Sequence, residues 1–399
     1  MNEGQSLYAA ETLMKLVPQW YYDADCGPNQ KAIEVNGFAK IFFSHAALTP
    51  DLDWLFTLIN GTVNNLVATA PATTPLVFDL LQEHYALEWL GRLLPSVNWK
   101  RVIYYLSKVS RRTSENSQVS LNLVFTDAVG TDRIDLDLYQ RIVDQAATAP
   151  FTYIRVDGEI RFLEYGEIPW RVITDSTSYN LHPGFLHPIH CILGDGECSA
   201  HVTSRGDIVV MNKRGLVASR RKGSWKLYDV RTLKNSIVGC MNDNYNVGCN
   251  LFEILFDLSF RRHGALLVFD PNHAVIGHIV NKEANLATGG SGQSLFAPSI
   301  QNLAFGVELG SLKARRQIAE MASVDGAVIF DRDSILAVAA VIESHPAVGG
   351  TFGARTTAAK SAFQMGGFPA KVSSDGEVTF YFKSEDEAGN VSNATMELL

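Results

Sequence analysis

The chain is 399 residues long, 46% hydrophobic and 19% charged, with a formal net charge of −8. That length suits two or three domains with sizeable cores, and the acidic balance gives no sign of a broad nucleic-acid-binding surface. Five cysteines (Cys26, Cys191, Cys198, Cys240, Cys249) are few and odd in number, which favours a reducing compartment over a disulfide scaffold. The opening "MNEGQSLYAAETLMKLVPQW" lacks the basic-then-apolar layout of a signal peptide. No uninterrupted apolar run approaches the ~18 residues of a spanning helix. The expectation is a soluble, cytoplasmic protein with no membrane partner.

Residues 1–30 end in a turn, "DCGPNQ". "AKIFFSHAAL" (39–48) begins as a strand, and 51–68 has helical spacing at Leu52, Leu55, Phe56 and Ile59. A second helix is predicted over 73–94, starting near Pro75. "KRVIYYLSKV" (100–109) and "QVSLNLVFTDAV" (118–129) read as strands, the latter from its alternation at Val119, Leu121 and Leu123. From 150 to 235 the pattern is mostly β. It includes a hairpin around Asp157-Gly158 and two or three short strands over 206–229.

From about 245 helices and strands alternate. The spacing of Leu251, Ile254, Leu255 and Leu258 predicts a helix over 250–264, followed by the strand "ALLVFD" (265–270). "AVIGHIV" (274–280) reads as the next strand and 283–296 as a loop. An amphipathic helix over 311–324 has Ala314, Ile318, Met321 and Ala322 on one side. Strands over 326–331 and 335–343, a glycine loop over 349–353 and a helix over 354–366 follow. A hairpin around Asp375-Gly376 (368–382) and a polar tail expected to fray complete the chain. The predicted organisation is an α/β region (1–145), a β-rich region (146–240) and an α/β C-terminal domain (241–399).

Three loops of that last domain carry candidate chemistry. Asp325 precedes a buried strand. Gly349-Gly350-Thr351-Phe352-Gly353 leads into Arg355, Thr356 and Thr357 at a helix start. Ser373-Ser374-Asp375-Gly376 forms a turn. A helix N-terminus offers unpaired N–H groups and a positive dipole end, so it attracts anions. Arg355 can hold a phosphate by a charge-assisted contact, and Asp325 and Asp375 can hold Mg²⁺ or Mn²⁺ beside it. Read singly, Asp325 is equally a turn or cap residue, Arg355 a surface residue and Asp375-Gly376 an ordinary hairpin turn.

Taken in order, Asp325-Gly326-Ala327, Gly353-Ala354-Arg355-Thr356-Thr357 and Val372-Ser373-Ser374-Asp375 resemble the diadenylate cyclase domain of the DNA-integrity-scanning family. "GALLVFD" (264–270) is similar to that family's opening strand, and the resemblance covers roughly 250–383. It implies a mixed β-sheet flanked by helices and a pocket for adenine nucleotides. The family makes cyclic di-AMP from two ATP molecules, in a dimer. By the resemblance, Asp325 would help hold metal and activate the ribose hydroxyl. Gly326, Ala327, Gly353, Arg355, Thr356, Thr357 and Ser373 would line the nucleotide, and Asp375 would assist the metal.

The motif departs from the family where phosphates are gripped. Thr356 stands for a histidine, Thr357 for an arginine and Ala354 for a threonine. The expectation is therefore a nucleotide-binding sensor of bacterial nucleotide signalling, for ATP, a cyclic dinucleotide or a related adenine nucleotide. The alternatives are an active diadenylate cyclase using Mg²⁺ or Mn²⁺, with the threonine hydroxyls in the grip, and a scaffold with an empty pocket.

Three other stretches bear on function. "LHPGFLHPIHCILGDGECSAH" (181–201) contains His182, His187, His190, Cys191, Cys198 and His201. These are zinc-type ligands in an order that matches no standard knuckle and equally suits a buried loop. "RRKGSWK" (220–226) reads as a β-turn or as an anion patch with Trp225 for stacking. "GGSG" (289–292) lacks the Lys-Ser/Thr of a phosphate loop and reads as a flexible loop.

Overall fold

In the computed structural model the chain divides into two compact units, Met1–Thr232 and Leu233–Leu399. The structure describes residues 30–35, 39–44, 75–114, 117–127, 151–174, 181–239, 245–286, 312–349, 352–385 and 391–397, and positions 54, 57, 58 and 136. The predicted turn before 30, most of the helix over 51–68 and the "GGSG" loop lie outside the described residues. The chain is α/β, with two mixed sheets flanked by helices.

In the first unit β1 (Gln30–Val35) and β2 (Ala39–Ser44) form an antiparallel pair. α1 (Pro75–Leu93) and α2 (Trp99–Val109) follow, then the short pair β3 (Thr113–Ser114) and β4 (Ser117–Gln118). β5 (Leu121–Phe125), β6 (Thr152–Val156) and β7 (Phe162–Glu167) come next, with the short helices α3 (Trp170–Thr174) and α4 (His187–Ile192). β8 (Cys198–Val202), β9 (Ile208–Asn212), β10 (Gly215–Arg221) and β11 (Ser224–Leu227) complete a seven-stranded sheet of order β11-β10-β9-β8-β5-β6-β7. Only β5 and β6 pair in parallel. These two flank position 145 in sequence and lie side by side in one sheet.

α2 replaces the strand expected over 100–109. Its buried residues Trp99, Val102, Ile103, Tyr105, Leu106 and Val109 recur with helical, not alternating, spacing. The Asn98 side chain caps its start by accepting from the Arg101 N–H at 3.2 Å. The run of Val, Ile and Tyr imitates a strand by composition, and burial of one helical face overrides that preference. Every residue of β5 is buried, because the sheet is covered on both sides there. Trp89 of α1 anchors the helix layer by donating to the Val217 carbonyl at 3.2 Å. Trp225 is buried in the same core, so it offers no exposed platform for stacking.

α5 (Val230–Gly239) carries the boundary between the units. In the second unit α6 (Tyr245–Arg261) leads to β12 (Ala265–Phe269), α7 (Leu312–Ala322) to β13 (Ala327–Phe330) and β14 (Ile335–Ala340), and α8 (Ala354–Gln364) to β15 (Phe368–Val372), β16 (Val378–Glu385) and β17 (Val391–Glu397). The sheet order is β14-β13-β12-β15-β16-β17, with β12 and β13 parallel and the other pairs antiparallel. Alternation along the central strands separates two layers. Leu266, Val268, Ala327 and Ile329 pack with Ala359, Ala362 and Phe363 of α8. Val328 and Phe330 face Leu251 and Ile254 of α6 and Ile318 of α7 around a small apolar crevice.

Two expectations fail in this unit. Residues 274–280 are not a strand but a loop with a 3₁₀ turn at Ile276–His278. The buried Asp270 carboxylate accepts from the N–H groups of Ala274, Val275 and Ile276 at 2.8, 2.9 and 2.9 Å. Donors committed to one side chain are not available to a ladder. The tail, expected to fray, instead forms β17, which pairs with β16 from Glu385↔Val391 to Thr379↔Glu397. Among the described residues no helix is long and apolar enough to cross a membrane.

Candidate functional site

The predicted site residues gather at one end of the second sheet. β12 and β15 are antiparallel with Ala265 opposite Val372, so Gly264 at the start of β12 and Ser373 at the end of β15 share an end. β13 runs parallel to β12, which puts Asp325 and Gly326, just before β13, at the same end. α8 starts there as well. The Arg355 guanidinium donates to Asp325 Oδ1 from Nη2 at 3.1 Å across thirty residues of chain.

Two glycines set this contact. Gly326 has φ +110°, and a Cβ on it would stand 2.5–2.7 Å from the backbone of Ala339. Only glycine suits that conformation and that space. Ala339 opposite is itself in the left-handed region (φ 56°), where β13 and β14 pair irregularly. This fixes the chain direction at Asp325, whose side chain stands fully in solvent. Gly264 supplies the other support: a Cβ there would overlap the Arg355 guanidinium at Nη1. The guanidinium is thus seated over bare backbone beside Asp325. Ala327, next in the motif, is buried in the sheet and contributes packing.

α8 opens without a side-chain cap. Its N-cap is Gly353, which makes no side-chain bond, and the first backbone bond is Thr357 N–H to Gly353 carbonyl at 3.0 Å. The first N–H groups of such a helix point outward with the positive end of its dipole. Lys371 of β15 donates to Thr356 Oγ1 at 3.3 Å, so a second cation reaches the first turn of α8. Phe352, just before the helix, exposes its ring, with Lys360 Nζ 3.4 Å from the ring centroid.

Ser373 and Asp375 are organised differently. The Ser373 hydroxyl donates to the Asp375 carboxylate and lies 3.0 Å from the Glu377 carbonyl, and the Glu377 N–H donates to Asp375 Oδ1 at 3.5 Å. Gly376 has φ +92°, and the Ser259 hydroxyl of α6 donates to its carbonyl. Asp375 thereby serves a hairpin turn that α6 also holds through Ser259. Two carboxylates, Asp325 and Asp375, are the candidates for holding Mg²⁺ or Mn²⁺ beside a phosphate. One carboxylate is engaged by Arg355 and the other by its own turn, and the described residues contain no group of three or more His, Cys, Asp or Glu arranged to hold a metal ion.

The histidine-rich stretch is split between two environments. Cys198 and His201 lie on β8, where the buried His201 ring bonds Asn122 Oδ1 at 3.0 Å and Ser199 Oγ at 2.8 Å. Burial lowers the His201 pKa to about 3 and pushes the Cys198 thiol well above its ordinary range. His187, His190 and Cys191 lie on α4. His182 stacks on His187 with centroids 5.4 Å apart and lies 4.2 Å from the His190 ring. Cys191 Sγ is 3.5 Å from His187 Nε2. His190 Nε2 meets the Lys213 carbonyl at 3.1 Å, and burial lowers its pKa to about 4 despite that bond.

Lys371 is the addition that sequence reading did not supply; Gly264 and Phe352 entered it only as parts of a strand match and a glycine loop, with no role of their own. The glycine at a strand entrance was a usable signal for Gly264. Lys371 had none, because only the pairing of β15 with β12 and the packing of α8 bring it to Thr356.

A scan against protein-family models matches none, and no curated protein matches. Among solved structures, a hypothetical membrane spanning protein from Bacillus cereus aligns at 19% identity over 41% of this chain and 76% of its own, with a TM-score of 0.22. A double mutant of DacA from Staphylococcus aureus aligns at 18% identity over 41% of this chain and 87% of its own, with a TM-score of 0.20. Scores this low establish neither a shared fold nor a shared site, and the link to DacA is a distant one.

Proposed function

We propose that the C-terminal unit binds an adenine nucleotide or cyclic dinucleotide by its phosphates and acts as a sensor rather than a catalyst. The observation that supports this most is the Arg355 guanidinium, seated over Gly264 at the uncapped start of α8. A phosphate there would meet Arg355, the outward N–H groups of α8 and Lys371, three donors of the kind anions select. Phe352 offers a ring face to a base. Thr356 and Thr357, which replace a histidine and an arginine of the resembled motif, leave the grip with fewer charges. That favours reversible binding over turnover.

The test is calorimetry of the full chain with a panel of adenine nucleotides and cyclic dinucleotides, with mass spectrometry of any nucleotide retained through purification. Removing one charge-assisted contact costs about 1.5–3 kcal/mol, so Arg355→Ala should weaken binding roughly 10- to 100-fold. Absence of binding at millimolar ligand would leave a scaffold. Incubation with ATP and Mn²⁺ or Mg²⁺ addresses turnover: cyclic di-AMP formation that disappears in Asp325→Asn would replace the sensor by an enzyme.

A further inference from the structure

We propose that Asp325 is a counter-ion latch on Arg355 that competes with the bound phosphate, and is not a metal ligand. This builds on the nucleotide-binding role proposed above. Asp325 is followed by Gly326, whose φ of +110° and tight approach to the Ala339 backbone set the turn into β13. The Asp325 side chain is fully exposed, yet it meets the Arg355 guanidinium at 3.1 Å. Arg355 in turn is held from below, since Gly264 provides the gap in which the guanidinium lies.

A cation approaching Asp325 meets the positive charge of Arg355 at hydrogen-bond distance. It finds no second carboxylate committed to it, because Asp375 is bonded within its own turn. A phosphate approaching Arg355 finds the opposite situation. The guanidinium has five N–H donors, of which Nη2 is shared with Asp325. The phosphate can use the remainder only beside a carboxylate of like charge, or by displacing it. The latch therefore keeps Arg355 oriented when ligand is absent and lowers affinity when it is present.

The experiment is calorimetric titration of ATP into the full chain, once in EDTA and once with Mn²⁺, for the wild type, Asp325→Asn and Gly264→Ala. Exposed ion pairs are weak, so Asp325→Asn should bind ATP about two- to fivefold more tightly in both conditions. Gly264→Ala should bind more weakly in both, because its Cβ displaces the guanidinium. Circular dichroism checks that each variant is folded. Weaker ATP binding by Asp325→Asn in Mn²⁺, with no change in EDTA, would make Asp325 a metal ligand and overturn the latch. Equal affinity of wild type and Asp325→Asn in both conditions would also overturn it while leaving nucleotide binding intact. No ATP binding by any of the three chains would overturn the latch, and the nucleotide role falls with it only if the panel above shows no binding either.

Discussion

Acidification from pH 7.5 to 5.0 should destabilise the first unit by several kcal/mol, through two buried histidines. His201 is enclosed in the sheet between Asn122 and Ser199, with its Nδ1 against an amide oxygen. The Asn122 amide nitrogen is itself committed to the Thr152 carbonyl at 3.0 Å. The ring is therefore neutral with its proton on Nδ1, donating to Asn122 and accepting from the Ser199 hydroxyl at Nε2. Burial lowers its folded pKa to about 3, and that of His190 to about 4. In the unfolded chain both titrate near the ordinary value of about 6.5. A base with a depressed folded pKa leaves stability intact above about 6.5 and withdraws it as pH falls from there towards the folded pKa, because the unfolded chain takes up the proton first. At pH 5.0 linkage gives about 2 kcal/mol for each histidine, so about 4 kcal/mol for the two acting independently.

All six tryptophans (Trp20, Trp54, Trp89, Trp99, Trp170 and Trp225) precede the unit boundary, so tryptophan fluorescence reports the first unit alone. With a urea m-value of about 2–3 kcal/mol per molar, the fluorescence midpoint should fall by about 1–2 M between pH 7.5 and 5.0. Gln at 201 keeps a donor and an acceptor without a titration. His201→Gln should therefore remove about half of the pH dependence. An unchanged midpoint in the wild type, or an undiminished pH dependence in His201→Gln, would refute the reasoning.

The second unit offers two stability tests. Gly326→Ala combines a positive φ, about 1–2 kcal/mol for a non-glycine residue, with a Cβ pressed against the Ala339 backbone. A total of about 2–4 kcal/mol is expected, read by far-UV circular dichroism in urea. Gly353→Ala, at a φ of −62° with nothing within 4 Å of the new Cβ, should cost less than about 0.5 kcal/mol and serves as the control. Asp270→Asn should cost about 2–4 kcal/mol, since a neutral amide presents only one oxygen to the three N–H groups that the carboxylate now accepts from. Hydrogen exchange should show the loss first in the amides of residues 274–276.

Local periodicity sufficed for α6 and α7, and short apolar runs for β12 and β13, because each buries one face or a whole short strand. The order of Asp325, Arg355 and Ser373 was read from a resemblance to a family motif and not from spacing. The nature of α2 was not legible, since its Val, Ile and Tyr residues suit a strand and only packing of the helix on the sheet decides between the two periods. Likewise the loop over 274–280 depends on Asp270, one buried carboxylate that claims three backbone donors. β17 depends on an antiparallel partner, β16, whose pairing no local composition announces.

At the site, sequence alone determined which residues could meet an anion: an arginine and two threonines at a helix start, behind a glycine. Tertiary structure decided what they meet. The parallel register of β12 and β13 carries Asp325 to Arg355, and antiparallel pairing with β15 carries Lys371 to Thr356. The same folding bonds Asp375 to Ser373 and Glu377 in its own hairpin turn. A carboxylate's role is set by the charge beside it, and that neighbour lies thirty residues away along the chain and 3.1 Å away in space.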